Sequence, residues 1–443
     1  MPNLSLNPNH TLKEKLLSGD FSLMLECVLP PHASECPEHL TTLATQLSTE
    51  AHAWDGVVLS CRDPQASAGE IADVLPLAAK AAAQLPIIPV YSGRGQCTAD
   101  AILFARQLQE CGATTVLTVS GDLHTNAPPV SHLDSVKALE VFETQSNGEL
   151  LCGAVISPAQ YHHLDSTMIY DKMARKLAAG ARFLVMSTLW DMKKAQELQW
   201  YLRLHNFAVP VFAQTEYFSP DTLEYYLHGE VHRALVSGAM LRQMRANLKE
   251  SPEAFQRDQF QRLARQVVGF RLLGFSGVII LGLDTAALRE GFRQELSAFS
   301  AQCNDYNQWL EAWKADECTG ALPPLQTTDY LYRDLLEPNC QYETADDMRV
   351  TPIWHGQAPK APLSDRALRL LRRALDHDRV PQNIKHLAGM TNLNIETLRQ
   401  TGYIDNHACP KQLTCGACSG LQPNGKCEDG IHPCFFRRLL GNL

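Results

Sequence analysis

Between residues 20 and 300 the chain repeats one unit, a short β-branched and apolar run followed by a longer amphipathic stretch. The strand-like runs are Ser22–Leu29, Asp55–Ser60, Ile87–Ser92, Thr114–Gly121, Leu150–Ser157, Arg182–Thr188, Val209–Glu216 and Gly277–Leu283. Helical stretches between them include Glu70–Gln84, Ala99–Cys111, Met168–Ala179, Lys193–His205 and Pro220–His228, and Gly112 and Gly180 stand where helices can be capped. Eight runs in this length predict an α/β fold of the (β/α)8 TIM-barrel type. An open doubly wound sheet is the runner-up, but it calls for a Gly-rich nucleotide turn after the first strand, where the chain reads LPPHASE. Gly93-Arg94-Gly95-Gln96 after the third run is half of such a loop and reads more simply as a turn.

A barrel draws its active-site groups from the C-terminal ends of its strands. That rule selects Glu26, Ser60, Ser92, Asp122, Ser157, Ser187, Glu216 and Asp284. Small polar residues at such places also cap helices. Glu26 is different, because it lies inside the apolar run MLECVLPP, where burying a carboxylate is costly without a reason. An apolar setting favours the protonated form and suits a general acid. Burial beside a stabilising Arg is an equally good account at this level.

Composition removes several function classes. Lys and Arg total 39 against 48 Asp and Glu, a net charge of −9, which argues against general nucleic-acid binding. No apolar run is long enough to span a membrane, and the N-terminus lacks the apolar core of a signal peptide. A cytoplasmic location is expected, where thiols stay reduced.

Residues 301–363 read as an irregular linker, with ALPPLQTTD and HGQAPKAPLSD as loop sequence. Residues 364–443 read as a helical and cysteine-rich module. It opens with a basic amphipathic stretch, Ser364–Asp378, carrying Arg366, Arg369, Arg372 and Arg373, and continues with a second helical stretch at Asn383–Thr401. Of the 14 cysteines, five fall between Cys409 and Cys434. They are Cys409, Cys415, Cys418, Cys427 and Cys434, and the segment has too few apolar residues to bury them as a core. Thiols this dense in a reducing compartment point to a soft metal, either structural zinc or an iron–sulfur cluster. His407 and His432 read as bystanders.

The strand ends resemble the 5,10-methylenetetrahydrofolate reductase family over roughly residues 20–300. LECVLPP is similar to the family's first strand, which implies that Glu26 is its general acid. TVSGDLH resembles the fourth strand, placing Asp122 beside a flavin ring. DKMARKLAAGARFLVMSTLWD resembles the helix and strand whose basic pair holds flavin phosphates, implying Arg175 and Lys176. TEYFSPDTL resembles the segment whose Phe packs on substrate, implying Phe218, and Ser60 and Ser92 fall where the family has hydroxyls near the flavin. The tail resembles the cysteine-rich C-terminal module of some bacterial and archaeal members. That likeness implies Cys409, Cys418, Cys427 and Cys434 as metal ligands and leaves Cys415 as an extra.

The resemblance implies a flavin-dependent oxidoreductase of one-carbon metabolism, interconverting methylene- and methyltetrahydrofolate. Departures from the pattern are Ser187 for a folate-contacting Gln, Ser120 for an Arg, Ser157 for an aromatic and Val90 for a His. The resemblance implies FAD ahead of FMN, and these departures leave the choice open. The electron donor stays open between NAD(P)H and a redox protein, and self-association stays open as well. Two alternatives stand: a flavin barrel acting on another C1 carrier, and a non-catalytic paralogue serving as a binding or electron-transfer subunit. A glycosidase carboxylate pair is set aside, since the basic pair and cysteine tail would then have no task.

Overall fold

The computed structural model describes residues 13–17, 20–30, 35–50, 54–61, 86–122, 132–228, 236–316, 330–341, 409–418, 420–422, 425–428 and 432–437. The stretches Glu70–Gln84, Ser364–Asp378 and Asn383–Thr401 lie outside the described residues.

The apolar runs become parallel strands: β1 (Ser22–Leu29), β2 (Gly56–Cys61), β3 (Ile87–Ser92), β4 (Thr115–Val119), β5 (Leu151–Ile156), β6 (Phe183–Met186), β7 (Val211–Glu216) and β8 (Gly277–Leu281). They close in sequence order, β8 pairing with β1, so the protein is a (β/α)8 TIM barrel. Its helices are α1 (Cys36–Thr49), α2 (Thr98–Glu110), α3 (Ser135–Ser146), α4 (His163–Ala178), α5 (Met192–Leu204), α6 (Pro220–Leu227), α7 (Gly238–Glu250), α8 (Pro252–Leu272), α9 (Ala286–Gln302) and α10 (Tyr306–Lys314). Helix starts are set locally. Asp134, Asp191, Ser219, Ser237, Ser251, Thr285 and Asp305 each accept a backbone N–H of the following first turn.

Strand alternation divides the core in two. One set of side chains faces the helices, and the other fills the barrel: Met24, Val58, Ile88, Val90, Leu117, Leu151, Phe183, Val185, Phe212 and Ile279. Phe183 and Phe212 meet edge to face at 5.9 Å inside. Gly153 makes room for them, because a Cβ there would lie 2.2 Å from the Phe183 ring. The barrel is thus a packed core and not a pore.

One boundary differs from the sequence reading. The stretch after Cys303 is not irregular throughout, since α10 folds there. Tyr306, Trp309, Leu310 and Trp313 are buried at helical spacing, and Asp305 caps the start. Trp309 packs where Gly269 of α8 leaves space and donates to the Arg265 carbonyl at 2.9 Å. Residues 330–341 then pack on α5, where the Leu331 N–H donates to Glu197 at 2.8 Å and Gln196 donates to the Cys340 carbonyl at 2.8 Å. No described helix is long and apolar enough to cross a membrane.

Candidate active site

At the C-terminal end of the barrel, β1 and β2 run in register with Val28 opposite Ser60. Both Glu26 and Ser60 are buried and point inward. The Ser60 hydroxyl donates to Glu26 Oε1 at 2.6 Å, and the Gln214 side-chain amide of β7 donates to Glu26 Oε2. Gln214 is itself oriented, since its Oε1 accepts from Thr188 N at 3.2 Å and Thr188 Oγ1 at 3.3 Å. The Glu26 carboxyl therefore has its position set from three sectors of the barrel. Ser60 is the adaptable partner, because a hydroxyl donates to a carboxylate and can rotate to accept from a carboxylic acid. This arrangement fixes a carboxyl at the barrel mouth.

Gln214 and Thr188 were not singled out from sequence. A signal existed: Phe212, Gln214 and Glu216 share the inward face of β7, and two polar residues in that register have no place in an apolar core. Glu216, selected as a strand end, is buried and accepts from Tyr226 Oη at 3.1 Å. It stands level with Glu26 across Leu281 of β8.

The next sector carries Ser92 and Asp122. Gly121 turns the chain at φ +80°, and a Cβ there would lie 2.6 Å from Ser92 Oγ, so the two strand ends touch. Asp122 follows, exposed on the rim. His132 returns to this place, where its Nδ1–H donates to the Ser120 carbonyl at 2.7 Å. Its Nε2 is buried without a hydrogen-bond partner. Burial, then the charge of Lys411, lowers the imidazole from 6.5 to about 4. In that window the unfolded chain binds the extra proton, so this contribution to stability is complete above 6.5 and is lost as pH falls toward 4. In urea titrations across that range, His132→Asn should show a shallower loss of stability with falling pH. Equal slopes in the two proteins would refute the assignment.

Ser187 follows β6 with its hydroxyl buried and unpartnered, and Ser157 is buried at the end of β5. Asp284 is exposed after β8. Orphaned polar atoms cost about 1–3 kcal/mol each, a cost that a polar ligand in the mouth would remove at Ser187.

Three expected residues sit in packed surroundings. Phe218 is fully buried and packs against Trp190 at 5.4 Å and Tyr226 at 4.8 Å, under α6 and α7. As it stands it offers no face to a substrate. Nor do Arg175 and Lys176 form an open basic pair. Arg175 Nη1 donates to the Cys415 carbonyl at 3.0 Å, and Lys176 Nζ to the Val155 carbonyl at 2.5 Å. Burial, then the Lys172 charge, brings the Lys176 ammonium down to about 7. The reason is tertiary, because the cysteine-rich segment occupies the surface of α4 that the sequence leaves bare.

That segment docks through buried polar bonds. Lys172 pairs with Asp134 at 2.9 Å and donates to the Gly416 carbonyl at 3.1 Å. Asp134 also accepts the Cys415 N–H at 3.2 Å, Gln160 donates to the Leu421 carbonyl at 2.7 Å, and Arg437 pairs with Asp165 at 3.1 Å. Cys409, Cys418, Cys427 and Cys434 sit within electrostatic reach of one another, while the charged neighbours of Cys415 are Asp134, Lys172 and Lys137. Cys409 Sγ accepts the N–H groups of Lys411 and Leu413, and Cys434 Sγ those of Phe436 and Arg437. Burial raises the Cys409 and Cys418 thiols, while backbone N–H groups aimed at the Cys409 and Cys434 sulfurs pull toward the thiolate, so four thiols with such donors fit a soft metal that would hold them deprotonated. Among the described residues, however, no three or more His, Cys, Asp or Glu side chains stand as a closed metal cage. The neighbouring Cys427 thiol holds the Cys434 thiol below its ordinary range.

No known family and no curated protein matches this sequence. Among solved structures it is similar to an uncharacterized protein from Clostridium thermocellum that binds two copies of 5-methyl-5,6,7,8-tetrahydrofolic acid. The identity is 15%, over 64% of this chain and 99% of that one, with a TM-score of 0.43. It is also similar to 2,3-dimethylmalate lyase, a member of the PEP mutase/isocitrate lyase superfamily, at 11% identity over 75% and 94% with a TM-score of 0.39. An oxaloacetate acetylhydrolase follows at 10%, over 72% and 90%, with a TM-score of 0.39. At these scores the likenesses assign no activity to this chain.

Proposed function

We propose that this protein is a flavin-dependent reductase that interconverts 5,10-methylenetetrahydrofolate and 5-methyltetrahydrofolate. The observation that carries the reading is the Glu26 carboxyl, buried at the barrel mouth between the Ser60 hydroxyl and the Gln214 amide. A flavin, FAD ahead of FMN, would supply the two-electron chemistry when bound. Ser92 and Asp122, at the ends of β3 and β4, would hold it. Protonated Glu26 gives its proton to the folate nitrogen as the imidazolidine C–N bond breaks, and Ser60 turns to accept and donate in the two states. Asp122, exposed on the rim, would stabilise the cationic iminium of the substrate. The unpartnered Ser187 hydroxyl offers the folate a hydrogen bond. Cys409, Cys418, Cys427 and Cys434 would hold zinc, as a staple of the segment, or an iron–sulfur cluster that relays electrons.

The buried Phe218 and the engaged Arg175 favour one second reading, the same chemistry on a different C1 carrier.

The test is an anaerobic visible spectrum with metal analysis on the same sample, followed by turnover with methyltetrahydrofolate. Flavin bands near about 375 and 450 nm are expected. A broad shoulder with about four irons per chain would mark a cluster, and zinc a staple. Cys418→Ser should lose the metal and Cys415→Ser should keep it. Flavin without folate turnover would move the reading to another carrier. No flavin, and none taken up from added FAD or FMN, would overturn it.

A further inference from the structure

We infer that Lys411, in the cysteine-rich segment, is a positioning residue for the barrel mouth. Lys411 is 3% exposed and reaches 290 residues back along the chain, where its Nζ donates to the Gly121 carbonyl at 2.6 Å. Glu428 of the same segment balances its charge at 2.8 Å. The Lys411 carbonyl in turn accepts the His132 N–H at 3.0 Å, and the His132 ring caps the Ser120 carbonyl. Ser120 Oγ is held by the Ser135 N–H at 3.1 Å.

The carbonyls of Ser120 and Gly121, the two residues before Asp122, are therefore each capped by a side chain. One cap comes from the barrel, and the other comes from the cysteine-rich segment. The turn between them has little slack. Gly121 holds φ +80°, and a Cβ there would sit 2.7 Å from Arg94 Cβ. A backbone this tightly enclosed has one low-energy path, so the direction in which Asp122 leaves β4 depends on both clamps. Lys411 is also tied by its own N–H to Cys409 Sγ. The arrangement of the Cys409 knuckle and the geometry of the Gly121–Asp122 turn are thus linked through one residue. Arg175 and Lys172 of α4, by contrast, grip the carbonyls of Cys415 and Gly416 and make no bond to the Gly121 carbonyl. They can hold the segment in place when Lys411 is altered.

The consequence for cofactor binding rests on the reductase reading, whereas the positioning itself does not. The test is hydrogen–deuterium exchange on the full chain, comparing peptides over 118–122 and 413–418. Lys411→Met keeps the stem and removes the ammonium, and losing one charged hydrogen bond should speed exchange over 118–122 about tenfold. Exchange over 413–418 should stay unchanged. Unchanged exchange over 118–122 would overturn the assignment. If Lys411→Met loosens both peptides, Glu428→Gln decides the matter. Faster exchange confined to 118–122 supports the inference, and no change there overturns it. Titrated with FAD, Lys411→Met should bind about tenfold more weakly than the parent. A parent chain that takes up no FAD refutes the reductase reading alone, and unchanged exchange refutes the Lys411 assignment alone.

Discussion

Replacing Glu26 with Gln should lower folate turnover by about 10²- to 10⁴-fold, the range expected when a positioned general acid is lost. Gln is close in shape and keeps an oxygen that can accept from Ser60 or Gln214, so the mouth should stay assembled. It has no carboxyl proton to give. Flavin affinity should therefore change little, because Glu26 is held by Ser60 and Gln214 and not by the rim around Ser92 and Asp122. Gln214→Leu should have a smaller effect. It removes one of the two groups that hold the carboxyl and leaves the proton donor in place. The measurement is steady-state turnover beside a flavin titration on the same preparations. Full activity in Glu26→Gln would remove the general-acid role and promote the reading of a non-catalytic binding or electron-transfer subunit.

Glu197→Ala should destabilise the fold by about 3–5 kcal/mol, the cost of leaving a buried charge without its partner. Lys194 and Glu197 of α5 are both fully buried, 3.0 Å apart. Glu197 also accepts from Tyr170 Oη at 3.0 Å and from the Leu331 N–H at 2.8 Å. The Lys194 ammonium lies over the rings of Tyr161 at 5.3 Å and Tyr330 at 5.1 Å. Tyr161 and Tyr330 in turn donate to Asp191 at 3.0 and 2.7 Å. The pair is therefore the anchor that seats residues 330–341 on the barrel, and its loss should also open that segment to protease. The Lys194→Met/Glu197→Leu double variant should recover only part of the stability, since paired removal leaves no lone charge but takes the acceptor from the Tyr170 hydroxyl and the Leu331 N–H. Urea unfolding and limited proteolysis read the two effects. A loss in Glu197→Ala below about 1 kcal/mol, the value of an exposed pair, would show that the network does not anchor the segment.

Much of the barrel was legible before any coordinates. The strands begin and end within a few residues of the apolar runs, because a parallel strand buried on both faces must be apolar throughout. The rule of strand ends also found Glu26 and Ser60, which the structure joins by a hydrogen bond. Gln214 and Thr188 escaped it. Gln214 lies within its strand and Thr188 in the loop after β6, and neither shows from sequence alone that it faces the Glu26 carboxyl. The helix Tyr306–Lys314 was hidden for a different reason. It is short, and its aromatic face gains meaning only against α8.

The sequence by itself determined the βα order, the count of eight strand-like runs, the carboxylate within the first of them and the gathering of cysteines near the C-terminus. Each is a matter of local periodicity or composition, which the chain carries in its own order. Only the tertiary structure decided that Arg175 grips the Cys415 carbonyl, that Phe218 is sealed beneath α6 and α7, and that Lys411 reaches Gly121. These are contacts between residues far apart along the chain. Which surface a late segment covers is set by the shape and charge of the assembled barrel, a property that no stretch of sequence holds alone.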